Sequence, residues 1–147
     1  MLLKQYQRCF ARTSAFGKKK GKIVMIWVGL PAYNESDRIA GLLMDIHKSL
    51  SRLDNEYKIV VYDDGSTDET VAKVSFVAEG GVKVHLIKGG KNKGLGCALA
   101  YLIDYCANAS SLEDVVILMD SDATHNPEHI HRMLSFIQDG FDLVITS

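Results

Sequence analysis

With 147 residues, 47% of them apolar and 24% charged, the chain is long enough for one domain with a real core and has the composition of an ordinary globular protein. No apolar run approaches the ~18 residues that a membrane span needs, and the longest, residues 23–30, is only strand-sized. The formal net charge of -1 hides an asymmetry: residues 1–22 carry Lys4, Arg8, Arg12, Lys18, Lys19, Lys20 and Lys22 and no acid, so the remainder is net negative.

The basic head lacks clean periodicity and is expected to be a disordered leader, with residues 23–147 as the folded domain. Its charge would also suit a membrane or nucleic-acid arm, or a transit peptide. Cys9, Cys97 and Cys106 form no CxxC pair and no metal spacing, which fits a reduced, cytosolic setting.

After the leader, strand and helix patterns alternate. Residues 23–30 are rich in Ile and Val and predict a strand; residues 35–50 carry Ile39, Leu42, Leu43, Ile46 and Leu50 at helical spacing. Residues 57–62 predict a second strand. Residues 67–78 predict a helix, with Ser66 or Thr67 as its cap and Asp68 and Glu69 at its positive end. Residues 82–87 predict a third strand, and residues 94–107 a helix with Leu95, Ala98, Leu99, Leu102, Ile103 and Cys106 on one face; Cys97 and Cys106 read as small buried residues. The wholly apolar residues 115–119 predict a strand buried on both sides. Pro127 suits the first turn of a helix reaching Gln138, and residues 141–146 predict a fifth strand. This alternation with short links implies a Rossmann-like, three-layer α/β/α fold with a mainly parallel sheet.

In such sheets ligands lie beyond the carboxyl ends of the strands, so the strand-to-helix links 31–36, 63–66, 88–93 and 120–126 are where chemistry is expected. In the last, Asp120 and Asp122 are two residues apart at a strand end and so can address one point. Paired carboxylates that would otherwise repel each other suit Mg2+ or Mn2+, hard cations often shared between one or two protein carboxylates and a substrate's phosphates. The plain alternative is that Asp122 caps the next turn. In the second link, Asp63 and Asp64 precede Gly65, which permits a tight turn, and either acid could accept hydrogen bonds from a base or ribose. In the first, Tyr33 could stack on a base, whereas Asn34 and Glu35 could simply cap a helix. The third, with Lys93 and Gly94, is basic and glycine-rich ahead of a helix and could meet a diphosphate. It is not a P-loop, nor does Gly94-Leu-Gly96 complete a GxGxxG pattern. His125 sits where it could reach a diphosphate or metal; His129 and His131 read as surface residues, and with no HExxH or cysteine partner zinc is not expected.

Taken together and in order, the run Pro-Ala-Tyr-Asn-Glu at 31–35, Asp-Asp-Gly-Ser-Thr-Asp at 63–68, Asn-Lys-Gly-Leu-Gly at 92–96 and Asp-Ser-Asp at 120–122 resembles the family 2 glycosyltransferases over residues 23–147. Thr124, His125 and Pro127 make it resemble the polyprenyl-phosphate sugar synthase branch, of the dolichol-phosphate mannose synthase type. The resemblance implies the donor-binding half of a glycosyltransferase A fold. Pro31, Ala32, Tyr33 and Glu35 would border the nucleoside, Asp64 would contact the base or ribose, and Asp120 and Asp122 would bind the metal and diphosphate. Thr124 stands at a third metal position and is a poor ligand there. The implied reaction is inverting transfer from a UDP- or GDP-sugar to an acceptor such as a polyprenyl phosphate, by a protein at most peripherally attached to the cytoplasmic face of a membrane.

The acceptor half and the usual general base of such enzymes have no counterpart before Ser147, so a donor-binding half or fragment is expected. A non-catalytic nucleotide-sugar-binding module is the rival reading. A sugar nucleotidyltransferase would open with a Gly-rich basic loop after the first strand, and a phosphoreceiver domain would place its acidic pair there; this chain does neither. No nucleic-acid partner is expected.

Overall fold

The computed structural model describes residues 23–122 and 126–145. The basic leader, Thr124, His125 and the end of the predicted fifth strand lie outside the described residues.

Four strands, β1 (Met25–Ala32), β2 (Glu56–Asp63), β3 (Val84–Lys88) and β4 (Val115–Leu118), form one sheet in the order β3-β2-β1-β4. Every pairing is parallel, with Val28 opposite Ile59 on one side and Ile117 on the other. The helices are α1 (Ile39–Leu50), α2 (Thr70–Glu79), α3 (Leu95–Ala109) and α4 (His129–Gln138).

Strand alternation sorts the side chains into two cores. Ile26, Val28 and Leu30 of β1 and Ile59 and Val61 of β2 pack with α1, α2 and α4 through residues such as Leu43, Ile46, Val74, Ile130 and Leu134. On the opposite face, Trp27, Val60 and Tyr62 pack with Ala98, Leu102 and Cys106 of α3. The three-layer α/β/α fold is therefore present. Each fully buried Ile or Leu contributes roughly 1.5–3 kcal/mol, and the thicker layer carries most of them.

Gly29 lets α3 and β4 close on the sheet: a Cβ there would lie 2.9 Å from Leu118 Cδ2 and 3.5 Å from Leu102 Cδ2. The strand order also makes a crevice. The chain runs outward from β1 to β2 and β3, then returns to the far side of β1 as β4. The links leaving β1 and β4 thus diverge at a switch in direction, and an opening forms at the carboxyl ends between them.

Several expectations change. β4 is not buried on both sides: Val116 is 39% exposed and Leu118 37%, because among the described residues it stands at the sheet edge and α3 covers one of its faces incompletely. Residues 141–145 form no strand; Leu143, Val144 and Ile145 instead line an apolar groove of about 310 Å³ beside β4 and α4. The first helix begins at Ile39 rather than at 35, and the second at Thr70 rather than at 67. In both cases the preceding residues form turns that bond to the neighbouring link. Of the two cysteines expected to be buried, Cys106 is buried and Cys97 is exposed. No helix among the described residues is long and apolar enough to cross a membrane.

Candidate functional site

The first two links are tied to each other. Asn34 adopts a left-handed backbone, φ 55°, which asparagine tolerates better than most residues. Its N–H donates to Ser66 Oγ at 2.9 Å, and its Oδ1 accepts from Thr67 N at 2.9 Å. Glu35 N donates to the buried Thr70 Oγ1 at 2.8 Å, Ser36 N to Asp68 Oδ2 at 3.1 Å, and Asp64 N to Ala32 O at 2.8 Å. The side chains expected to cap helices therefore bridge the links, and neither α1 nor α2 has a side-chain N-cap. Desolvation pushes the Asp68 carboxyl up, but donation from the Thr70 hydroxyl, Thr70 N and Ser36 N outweighs it and holds the pKa at about 2.

The second link is joined as closely to the third. Asp63, buried, accepts from Ser66 N and shapes its own turn. Gly65 has φ 80°, and a Cβ there would sit 2.7 Å from Asn92 N. Gly89 N donates to Asp63 O at 2.7 Å, and a Cβ on Gly89 would meet Tyr62 OH at 2.5 Å. Asp64, only 3% exposed, accepts from Lys93 N at 3.0 and 3.1 Å and from Gly94 N at 2.8 Å. These contacts bring the start of α3 to the rim of the sheet.

The acidic link follows β4. Met119 N donates to Gly29 O at 3.1 Å, and the buried Ser121 donates from Oγ to Pro31 O at 2.6 Å. Arg38 reaches across from the first link and donates from Nη1 to Asp122 O at 3.2 Å. Beyond the link, α1 braces the entry to α4: Ser49 Oγ donates to Pro127 O and lies 3.0 Å from His131 Nε2, while Arg52 pairs with Glu128 at 3.0 Å. His131, expected at the surface, is thus half-buried in this brace; His129 is exposed.

All four links meet at a cleft of about 350 Å³. Pro31, Ala32, Tyr33 and Glu35 line it from the first link, Asp64 from the second, Gly94 from the third, and Asp120 and Asp122 from the fourth. Eight expected site residues are therefore in its wall. Lys93 stands exposed beside it and contributes a backbone N–H to Asp64, and Asp63 is engaged beneath it. Thr124 and His125 lie outside the described residues. Asn92, Leu95, Ala98 and Ser121 also line the cleft, and Arg38 binds at its edge; none was expected there. Asn92 and Leu95 lie within the motif at 92–96, a signal that was available. Arg38 carried none, because only the turn at 34–38 brings it to Asp122.

Chemically, the cleft combines an exposed tyrosine ring, the N-terminal end of a 15-residue helix and four carboxylates, of which Asp64 is taken up by the N–H groups of Lys93 and Gly94. First-turn helix amides lack intrahelical partners and carry partial positive charge. No group of three or more His, Cys, Asp or Glu side chains among the described residues forms a metal cage by itself. Asp120 and Asp122 alone fit the pattern in which a hard cation takes one or two carboxylates and completes its shell with water or phosphate oxygens.

The sequence pattern described as glycosyl transferase family 2 matches residues 27–147. An undecaprenyl-phosphate 4-deoxy-4-formamido-L-arabinose transferase of Proteus mirabilis is 33% identical over 125 residues, covering 85% of this chain and 37% of that protein. A dolichol-phosphate mannosyltransferase of Pyrococcus furiosus is 36% identical over 118 residues, covering 80% of this chain and 31% of that protein. The chain thus spans about a third of the length of these curated relatives. Among solved structures, a mannosyltransferase from Pyrobaculum calidifontis in complex with GDP-Man and Mn2+ superposes with a TM-score of 0.58 at 22% identity, covering 87% of this chain and 36% of that one.

Proposed function

The chain belongs to glycosyl transferase family 2, and from that premise we propose that its cleft binds the nucleotide-diphosphate part of a sugar donor. The observation that carries the proposal is the convergence of Tyr33, the N-terminal end of α3, and Asp120 with Asp122 on one cavity. Tyr33 offers a ring face for the base, and Pro31, Ala32 and Glu35 border the nucleoside. The N-terminal end of α3 favours the diphosphate's negative charge, and the nearby lysine, Lys93, adds to that field.

Asp120 and Asp122 would hold Mg2+ or Mn2+ together with the diphosphate oxygens, and the ion would stabilise charge on the leaving nucleoside diphosphate. The relatives named for undecaprenyl phosphate and dolichol phosphate point to a polyprenyl phosphate acceptor. In the transfer that follows, an acceptor phosphate oxygen forms a bond to the anomeric carbon on the face opposite the diphosphate. The sugar–diphosphate C–O bond breaks, its electron pair leaves with the nucleoside diphosphate, and the anomeric configuration inverts. An ionised phosphate acceptor needs no proton removed, so no general base is assigned to a residue of this chain. Work on a lipid acceptor would place the protein at the cytoplasmic face of a membrane as a peripheral partner.

A second reading is a nucleotide-sugar-binding unit without turnover of its own, since every cleft residue given a role above serves donor binding. Calorimetric titration with UDP-glucose and GDP-mannose, with and without Mn2+, tests the site in both readings. Metal-dependent binding of at least one donor is expected. Binding that ignores Mn2+ would remove the role given to Asp120 and Asp122, and transfer to a polyprenyl phosphate separates enzyme from binding unit.

A further inference from the structure

We propose that Asp64 is a positioning residue: its buried carboxylate latches the glycine-rich third link and so fixes the N-terminal end of α3 at the cleft. The inference rests on the donor reading of that cleft. A carboxylate 3% exposed must have its charge compensated by hydrogen bonds, and here the donors are the backbone N–H groups of Lys93 and Gly94. Both precede the first helical residue, Leu95, so the helix itself does not hold them.

The segment they belong to has little to support its own shape. Gly94 has φ 89° and ψ 158°, a conformation open to glycine and costly for other residues. A single internal bond, from Gly94 N to Asn92 Oδ1 at 3.0 Å, assists. On the other side the link lies close over Gly65, where a Cβ would come within 2.7 Å of Asn92 N and 2.8 Å of Lys91 C. Gly94 and Leu95 line the same cleft as Asp120 and Asp122. Their distance from a bound diphosphate is therefore set by a carboxylate on a different link, the one that follows β2.

A latch and a direct base contact differ in what they predict. A side chain that reads the base changes affinity for one nucleotide more than another, whereas a latch weakens every nucleotide alike. Asp64→Asn keeps the shape, removes the charge and turns an NH2 donor toward one of the loop's N–H groups. Residue-resolved amide exchange on the ligand-free protein should show Lys93 and Gly94 exchanging about ten-fold faster or more, the scale of one charged hydrogen bond, while core amides keep their protection. UDP-glucose and GDP-mannose, with Mn2+, should lose affinity by the same factor.

Unchanged exchange at Lys93 and Gly94 would overturn the latch. A loss confined to one of the two nucleotides would overturn it in favour of a direct contact. If the unaltered protein bound neither donor, the donor reading would fall, and the exchange measurement would still decide whether Asp64 holds the link. Should Asp64→Asn fail to fold, Asn92→Ala, at an exposed side chain, perturbs the same turn. Faster Gly94 exchange with a smaller, equal loss for both donors supports the proposal, and faster exchange with undiminished affinity overturns it.

Discussion

The two banks of the cleft are built differently. On the β1–β2–β3 bank, β1 and β2 are buried to their carboxyl ends, and the links above the bank bind one another: Asn34 to Ser66 and Thr67, Glu35 to Thr70, Ser36 to Asp68, and Asp64 to Lys93 and Gly94. On the β4 bank the strand is half-exposed at the sheet edge, and its link brings Asp120 and Asp122 to the cavity wall. Most of the polar groups on the first bank thus set shape, and the charge proposed to do chemistry sits on the second. A site proposed to bind a dianion and a cation would profit from this division. A rigid bank keeps its form when the ligand leaves, and the acidic bank is where the cation would be received.

The division can be broken most directly from the acidic side. Asp122→Ala should weaken metal-dependent donor binding by an amount on the order of 2–5 kcal/mol, the cost of removing one partner of a buried charged contact, while thermal unfolding stays near that of the unaltered protein. A large fall in stability with normal binding, read by calorimetry and a melt, would make Asp122 a structural cap and erase the contrast between the banks.

The rigid bank should respond in the opposite sense. Gly65→Ala forces a side chain into a left-handed backbone and against Asn92 N and Lys91 C, at 2.7 and 2.8 Å. The expected loss is about 2–4 kcal/mol of folding stability, measured by denaturant unfolding, with weaker nucleotide binding as its consequence. Normal stability would mean that the second and third links separate without cost.

The smallest effect concerns acid. Asp68 has its folded pKa lowered to about 2, so its bonds to Thr70 and Ser36 stabilise the folded chain at pH values above the ordinary carboxylate range. That contribution declines as the pH falls from about 4 towards 2. Asp68→Asn should therefore flatten the pH dependence of unfolding in that window. The group is exposed at the surface, so the change is modest. An identical acid limb in both proteins would show that the bonds from Asp68 to Ser36 and Thr70 do not hold the first two links together.

Much of this could be read from the chain itself. Apolar spacing located four strands and four helices, because burial on one or two faces leaves a period that any window of residues displays. The expectation that links at carboxyl ends hold the site also placed Tyr33, Glu35, Asp64, Asp120 and Asp122 in one cleft. Other features depend on contacts between residues far apart in sequence. Ser66 and Thr67 have the chemistry of caps, and only the approach of Asn34 turns them into bridges. Arg38 reaches Asp122 across 84 positions. β4 is apolar enough for a central strand, yet the sheet order leaves it at the edge. Composition and periodicity record what each segment buries and which turns it can make, since these are local preferences of side chain and backbone. Which partner receives a particular hydrogen bond, and which strand stands outermost, is decided only when the sheet assembles and brings distant links within a few ångströms of each other.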